Sequence, residues 1–166
     1  NSFEPINKSI FFKNLGIKDK PYILVTFHPE TVSVSSNKKY AKVMKSALNY
    51  LCSIINIIIT MPNADTLGSV FRKEINDLKK KNPNNILLVE NFGKIKYFNA
   101  MYYSTLLIGN TSSGIIEAAS FNKYVINVGE RQKGRSHGVN VFNVEFDSKK
   151  IIELTHKLLM KNPEII

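Results

Sequence analysis

Short apolar segments alternate with longer amphipathic segments along most of the chain, and this alternation limits the fold more than any other feature. The apolar segments are rich in Ile, Val and Leu, and each is shorter than a typical helix. They occupy residues 22–27, 55–60, 85–90, 105–110, 124–129 and, more weakly, 139–144. Continuous hydrophobicity over such a length predicts parallel strands that are buried on both faces of a sheet.

Helical periodicity separates the predicted strands. The helices are predicted at residues 37–52, 69–80, 95–104, 115–121 and 148–160. Strand–helix–strand units with right-handed crossovers give an α/β fold, a Rossmann-like three-layer α/β/α sandwich with a parallel sheet of about six strands. Residues 1–20 precede the first strand and are predicted to be a linker or N-terminal extension. Residues 21–166 are predicted to form one domain.

The composition fits one globular domain of a cytoplasmic protein. A hydrophobic content of 43% over 166 residues is enough for a core, and no apolar run approaches the ~20 residues of a membrane helix. The N-terminus lacks a signal-peptide pattern. The chain opens on Asn1 rather than Met, so we expect it to be part of a longer protein. Its one cysteine, Cys52, excludes an internal disulfide, is compatible with a reducing cytoplasm, and occupies an apolar position typical of a core.

The net charge of +10 raises the question of nucleic-acid binding. Twenty of the 23 basic residues are lysines scattered along the chain, and no basic stripe with interleaved aromatic residues accompanies them. The charge therefore favours a solvated lysine surface, with a nucleic-acid-binding module as the alternative. Arginine is scarce: Arg72 stands alone, whereas Arg131 and Arg135 share one segment, which indicates a requirement for the guanidinium fork of donors.

Polar residues, Gly and Pro follow each of the first five predicted strands. Taken singly, each segment is compatible with ordinary turn chemistry. The carboxyl ends of parallel strands meet at one edge, however, and ligands of open α/β sheets bind at that edge. The five segments together therefore predict a binding rim, to which His28 and Asn63 would belong.

The segment from Gly109 to Gly114 carries the strongest ligand signal, because it places Thr111, Ser112 and Ser113 between a strand and a helix. Small residues let a ligand approach the main chain, and the first N–H groups of the following helix suit a phosphate. The spacing matches neither the P-loop nor the G-x-G-x-x-G dinucleotide fingerprint. The structural alternative is a capped helix in which a serine bonds the free amides.

Four further side chains extend this phosphate hypothesis. Glu117 cannot complete a capping box because residue 114 is glycine, so its carboxylate is a candidate partner of ribose hydroxyls, or else it only complements the helix dipole. Arg131 and Arg135 can supply positive charge to a diphosphate. His28 is a candidate phosphate donor or proton carrier, or else a strand-end histidine bonded to the backbone. No metal site and no cofactor are predicted.

Five segments, in their order and spacing, resemble the hydrolysing UDP-N-acetylglucosamine 2-epimerases of sialic- and legionaminic-type sugar synthesis. The segments are FHPET, MPNAD, ENFG, IGNTSSGIIEAASF and VINVGERQKGR. The resemblance implies one half of a GT-B architecture, the C-terminal UDP-binding domain, with the N-terminal domain absent from this chain. It implies a UDP-sugar and UDP as ligands and a homodimer as a candidate assembly, with no nucleic-acid or membrane partner.

The resemblance also assigns roles to residues. His28 and Asn63 would line the nucleotide-sugar cleft, with His28 as the catalytic candidate near the diphosphate. The main chain around Phe92 would meet uracil. The remaining candidates for binding UDP are Thr111, Ser112, Ser113, Glu117, Arg131 and Arg135.

The implied reaction converts a UDP-N-acetylglucosamine-type sugar and water into an N-acetylmannosamine-type sugar and UDP, by elimination of UDP and hydration. A segment that neutralises the departing diphosphate lowers the first barrier, because charge accumulates on the leaving group. The isolated chain is expected to be inactive, since the carboxylates that handle the C2 proton belong to the N-terminal half. Two alternatives stay open: a non-hydrolysing UDP-N-acetylglucosamine 2-epimerase, and the nucleotide-sugar-binding half of a GT-B glycosyltransferase.

Overall fold

The computed structural model describes residues 3–27, 34–62, 66–90, 92–110, 118, 120–129 and 140–161. The strands bounded within them are β1 Tyr22–Thr26, β2 Asn56–Thr60, β3 Ile86–Val89, β4 Leu106–Gly109, β5 Val125–Val128 and β6 Val141–Val144. The helices are α1 Lys8–Leu15, α2 Val34–Leu51, α3 Thr66–Lys81, α4 Gly93–Tyr103 and α5 Ser148–Leu159. Of the helix predicted at 115–121, Ala118 and Ser120 are helical, Phe121 lies in a turn, and the rest is outside the described residues.

The six strands form one parallel sheet in the order β3-β2-β1-β4-β5-β6. The chain places β2 and then β3 on one side of β1, and returns through α4 to place β4 on the other side. This topology confirms the predicted α/β sandwich with a parallel sheet of six strands. Each predicted strand overlaps an observed one and differs from it by at most two residues at either end.

Helices cover both faces of the sheet. Alternate residues of β1 enter two separate hydrophobic cores, with Ile23 and Val25 in one and Tyr22 and Leu24 in the other. Residues of α2, α3 and α5 complete the first core, and residues of α1 and α4 complete the second. Cys52 is buried in the first core, which confirms its interpretation as a core residue. Among the described helices, none is both long and apolar enough to cross a membrane.

Helix α1 was not expected from the sequence. It lies within residues 1–20, the predicted linker or extension, and the side chain of Asn7 accepts a hydrogen bond from the amide of Ile10 at its start. Phe11 and Phe12 are buried in the second core, so this segment packs as part of the sandwich. The domain boundary at residue 21 stays a prediction.

Because the hydroxyl of Tyr22 is buried, we expect the folded chain to lose stability at alkaline pH. This hydroxyl donates to the carbonyl of Ala100, and burial, with a smaller contribution from Tyr103, raises its pKa above the ordinary value of 10.0. The unfolded chain therefore releases a proton above pH 10.0 that the folded chain retains, and the free energy of unfolding falls as pH rises. We expect a total loss of about 1.4 kcal/mol from this group between about pH 9 and pH 11, measured by urea unfolding, with the slope steepening above pH 10.0. Tyr22→Phe should have a shallower slope than the unsubstituted chain, and equal slopes would contradict the assignment.

Candidate functional site

The carboxyl ends of all six strands lie at one edge of the sheet, because every strand pair is parallel. Thr26 at the end of β1 lies opposite Thr60 of β2 on one side and Gly109 of β4 on the other. Gly109 in turn lies opposite Asn127 of β5. The chain therefore leaves β4 and β5 at the same edge, as the sequence predicts for a shared binding rim.

One of the predicted site residues, Phe92, lies in the described part of the chain. It is 8% exposed and packs in the second core, with its ring centroid 6.4 Å from that of Tyr97. Its side chain therefore anchors the start of α4, which leaves its main chain as the candidate for contact with a base. The other predicted site residues lie outside the described residues: His28, Asn63, Thr111, Ser112, Ser113, Glu117, Arg131 and Arg135.

Buried residues fix the points at which these undescribed segments leave the sheet. Phe27, which precedes His28, is 3% exposed, and its ring centroid lies 5.0 Å from that of Phe71 on α3. Pro62 is buried before Asn63, and Asn110 is fully buried before Thr111. The described structure therefore sets where each predicted binding segment begins.

Strands β1 and β4 leave no room for a side chain at Gly109. A Cβ atom on Gly109 would lie 2.1 Å from the carbonyl oxygen of Thr26, so a side chain at residue 109 would collide with the neighbouring strand. The strand order also reverses between β1 and β4, and ligands of open α/β sheets bind in the crevice outside such a reversal. Phe27 and Asn110, which directly follow β1 and β4, are the last described residues before two of the predicted binding segments.

A cluster of three hydroxyl groups lies just beneath the edge. The hydroxyl of Thr60 donates to that of Thr26 at 3.1 Å, and the Thr26 and Tyr97 hydroxyls share a hydrogen bond at 3.2 Å. These bonds tie the ends of β1 and β2 to α4. These hydroxyls were not predicted from the sequence to meet, because Tyr97 belongs to an aromatic helix face and both threonines lie in apolar strands. Periodicity cannot show that three such positions meet.

The end of β5 is shaped by a glycine. Gly129 has a φ of 97° and donates its amide hydrogen to the carbonyl of Val144 at 2.8 Å. A Cβ atom there would also lie 2.5 Å from the ring of Phe146. Glycine is therefore required directly after β5, two residues before Arg131 in the sequence.

A cavity of about 600 Å³ at the amino edge of the sheet is a weaker candidate for a ligand site. Its lining includes Lys18, Lys20 and Lys79, but the Lys79 ammonium donates to the carbonyls of Pro83, after α3, and of Ile86, at the start of β3. We therefore assign Lys79 to holding the connection between α3 and β3. Among the residues with described positions, no group of three or more His, Cys, Asp or Glu side chains could hold a metal ion.

The parallel sheet, its central reversal and the polar segments at its carboxyl edge define a Rossmann-like domain of the kind that forms half of a GT-B protein. A family model described as UDP-N-acetylglucosamine 2-epimerase matches residues 3–165. The chain belongs to this family.

Two curated relatives and one solved structure illustrate the similarity. The chain is 35% identical over 143 residues to the GDP/UDP-N,N'-diacetylbacillosamine 2-epimerase (hydrolyzing) of Campylobacter jejuni, covering 86% of this chain and 37% of the relative. It is 31% identical to the UDP-N,N'-diacetylbacillosamine 2-epimerase (hydrolyzing) of Legionella pneumophila, covering 96% of this chain and 41% of the relative. The UDP-GlcNAc 2-epimerase of Methanocaldococcus jannaschii, solved in complex with UDP-GlcNAc and UDP, matches with a TM-score of 0.70 at 18% identity, over 96% of this chain and 43% of that chain. The chain thus spans about two fifths of the length of these relatives.

Proposed function

We propose that this chain is the UDP-binding half of a hydrolysing 2-epimerase that acts on a UDP-activated 2-acetamido sugar. Family membership supports the proposal, as do two relatives whose names specify hydrolysing 2-epimerases of UDP-sugars. The observation that carries it is the crevice between β1 and β4, where Gly109 allows the strand ends to approach closely. That crevice lies where a nucleotide diphosphate binds in open α/β sheets.

The proposed reaction has two steps. A base removes the proton from C2 of the sugar, the C1–O bond breaks, and its electron pair leaves with UDP, so that a C1–C2 double bond forms. Water then adds its hydroxyl to C1 and a proton to the opposite face of C2, which gives the free 2-epimeric sugar. The sum is UDP-sugar plus water giving UDP plus the N-acetylmannosamine-type sugar.

In this proposal the chain binds UDP and stabilises it as a leaving group. Thr111, Ser112 and Ser113 supply hydroxyls and main-chain amides to phosphate, and Glu117 accepts hydrogen bonds from the ribose. Arg131 and Arg135 neutralise the charge that builds on the diphosphate. Three further residues complete the proposed site. His28 is the catalytic proton carrier near the diphosphate, Asn63 contacts the sugar, and the main chain of Phe92 contacts the uracil.

A UDP titration tests the proposal. We expect the 166-residue chain to bind UDP with a millimolar or lower dissociation constant, observed as shifts of amide signals at the carboxyl edge and measured by calorimetry. Glu117→Ala and Arg131→Ala should each weaken binding by about tenfold or more, because each removes a hydrogen bond that involves a charged group.

Matched controls separate these contacts from general changes in charge. Glu153→Ala and Lys149→Ala alter exposed residues of α5 and should leave UDP affinity within about twofold. ADP tests recognition of the base and should bind more weakly than UDP. If UDP shifts no amide signals at the carboxyl edge, the proposed function fails.

The finer proposals concern the whole protein. We place its reaction in the synthesis of sialic- or legionaminic-type sugars in the cytoplasm, with the N-terminal half supplying the remaining catalytic groups and a homodimer as the assembly. The longer protein should release free UDP from a UDP-2-acetamido sugar. Interconversion of two UDP-sugars without net UDP release would indicate the non-hydrolysing alternative.

A further inference from the structure

Among the described residues, one further backbone hydrogen bond joins the chain after β2 to β3 at the candidate rim. The amide of Met61, one residue beyond β2, donates to the carbonyl of Val89 at 2.9 Å. Residues that bond one neighbouring strand alternate along a parallel strand, so the next donor toward β3 would be Asn63, which lies outside the described residues. In the sequence, Asn63 and Phe92 come within three residues of the ends of β2 and β3, and the proposed function places both at the nucleotide-sugar.

Arg72 adds a side-chain connection just beyond this backbone bond. From the second turn of α3, its Nη1 donates to the carbonyl of Pro62 at 2.9 Å and its Nη2 donates to Oε2 of Glu90 at 2.7 Å. One planar guanidinium thus contacts the segment after β2 and the segment after β3. Lysine could not do this in the same way, because its ammonium is a point charge without a rigid fork.

The surroundings of Arg72 suit a positioning role. Its side chain is 23% exposed, whereas that of Glu90 is 68% exposed, so the bond to the Pro62 carbonyl is the better shielded of the two. The hydrogen bond between the pair raises the pKa of Arg72 and lowers the pKa of Glu90. Both groups therefore stay charged at neutral pH. An exposed ion pair contributes little to global stability, so the bridge acts mainly on local geometry.

We propose that Arg72 is a positioning residue that sets the separation of the β2 and β3 ends of the UDP-binding rim without contacting UDP itself. This inference rests on the proposed function. Arg72 is the one arginine of the sequence without another arginine nearby, and its guanidinium has two partners in the segments that follow adjacent strands.

The test compares UDP affinity with stability in variants of the 166-residue chain. Arg72→Met removes both bonds, and Arg72→Lys keeps the charge but loses the fork. We expect both variants to weaken UDP binding by about threefold to tenfold in calorimetry, with thermal midpoints close to that of the unsubstituted chain. The UDP-induced amide shifts of Met61 and Phe92 should shrink more than that of Val128, which lies at the far side of the edge.

Lys73→Met is the matched control. It removes the same unit charge from an exposed neighbouring residue of α3 that takes part in neither bond, and it should change UDP affinity by less than about twofold. If Arg72→Met and Arg72→Lys bind UDP as tightly as Lys73→Met, the positioning role is overturned while the proposed function stands. If the unsubstituted chain binds no UDP, the proposed function and the inference are both overturned.

Glu90→Gln provides a second test of the inference if the Arg72 variants do not fold. Glu90 is exposed, so its substitution should leave the fold intact and weaken UDP binding less than Arg72→Met, because the bond to Pro62 persists. Should Arg72→Met fail to fold, an affinity of Glu90→Gln equal to that of Lys73→Met overturns the inference. A reduced affinity supports it.

Discussion

Gly109→Ala should destabilise the chain by about 3 kcal/mol and abolish measurable UDP binding. The added Cβ would lie 2.1 Å from the carbonyl oxygen of Thr26, and that oxygen belongs to the backbone of a central strand. Relief requires β1 and β4 to move apart at the point where the strand order reverses. Urea unfolding and UDP calorimetry on the same samples would measure both effects.

Gly93→Ala is a matched control for this clash. Gly93 has a φ of 71° and no atom within 4 Å of a built Cβ, so its substitution costs only backbone strain. We expect about 1–2 kcal/mol from that strain. If Gly109→Ala destabilises no more than Gly93→Ala, the close contact of β1 and β4 is not a constraint.

Phe71→Ala should cost about 3–5 kcal/mol of unfolding free energy, because it removes a large side chain from a packed core. Phe71 is 1% exposed, and its ring centroid lies 5.0 Å from that of Phe27. Phe27 directly precedes His28, so the cavity left by Phe71→Ala should also loosen the packing of Phe27 at the start of a proposed binding segment. We therefore expect weaker UDP binding at temperatures where the variant is still folded.

Phe98→Ala removes the same ring from a half-buried position on α4 and serves as the control. Its ring centroid lies 6.3 Å from that of Phe121. Denaturant unfolding should show less than half the loss caused by Phe71→Ala, with unchanged UDP affinity. Equal losses in the two variants would argue against a special role for the Phe27–Phe71 contact.

Local patterns in the sequence predict most of the secondary structure. Continuous apolar runs identify all six strands, and helical periodicity identifies α2, α3, α4 and α5. Helix α1 was not predicted, because it is short and only the capping Asn7 and Gly16 mark its ends. Its buried pair, Phe11 and Phe12, gives no clear helical period. Helices of this size depend on tertiary packing more than on their own propensity.

The sequence by itself determined the parallel α/β class and the convergence of polar segments on one edge, because burial on both faces and the alternation of elements are local properties of the chain. Only the tertiary structure decided which strands are neighbours, and hence that Gly109 presses on Thr26 and that Arg72 joins Pro62 to Glu90. These contacts link residues distant in sequence. Their formation depends on strand order and helix packing, which no local period records.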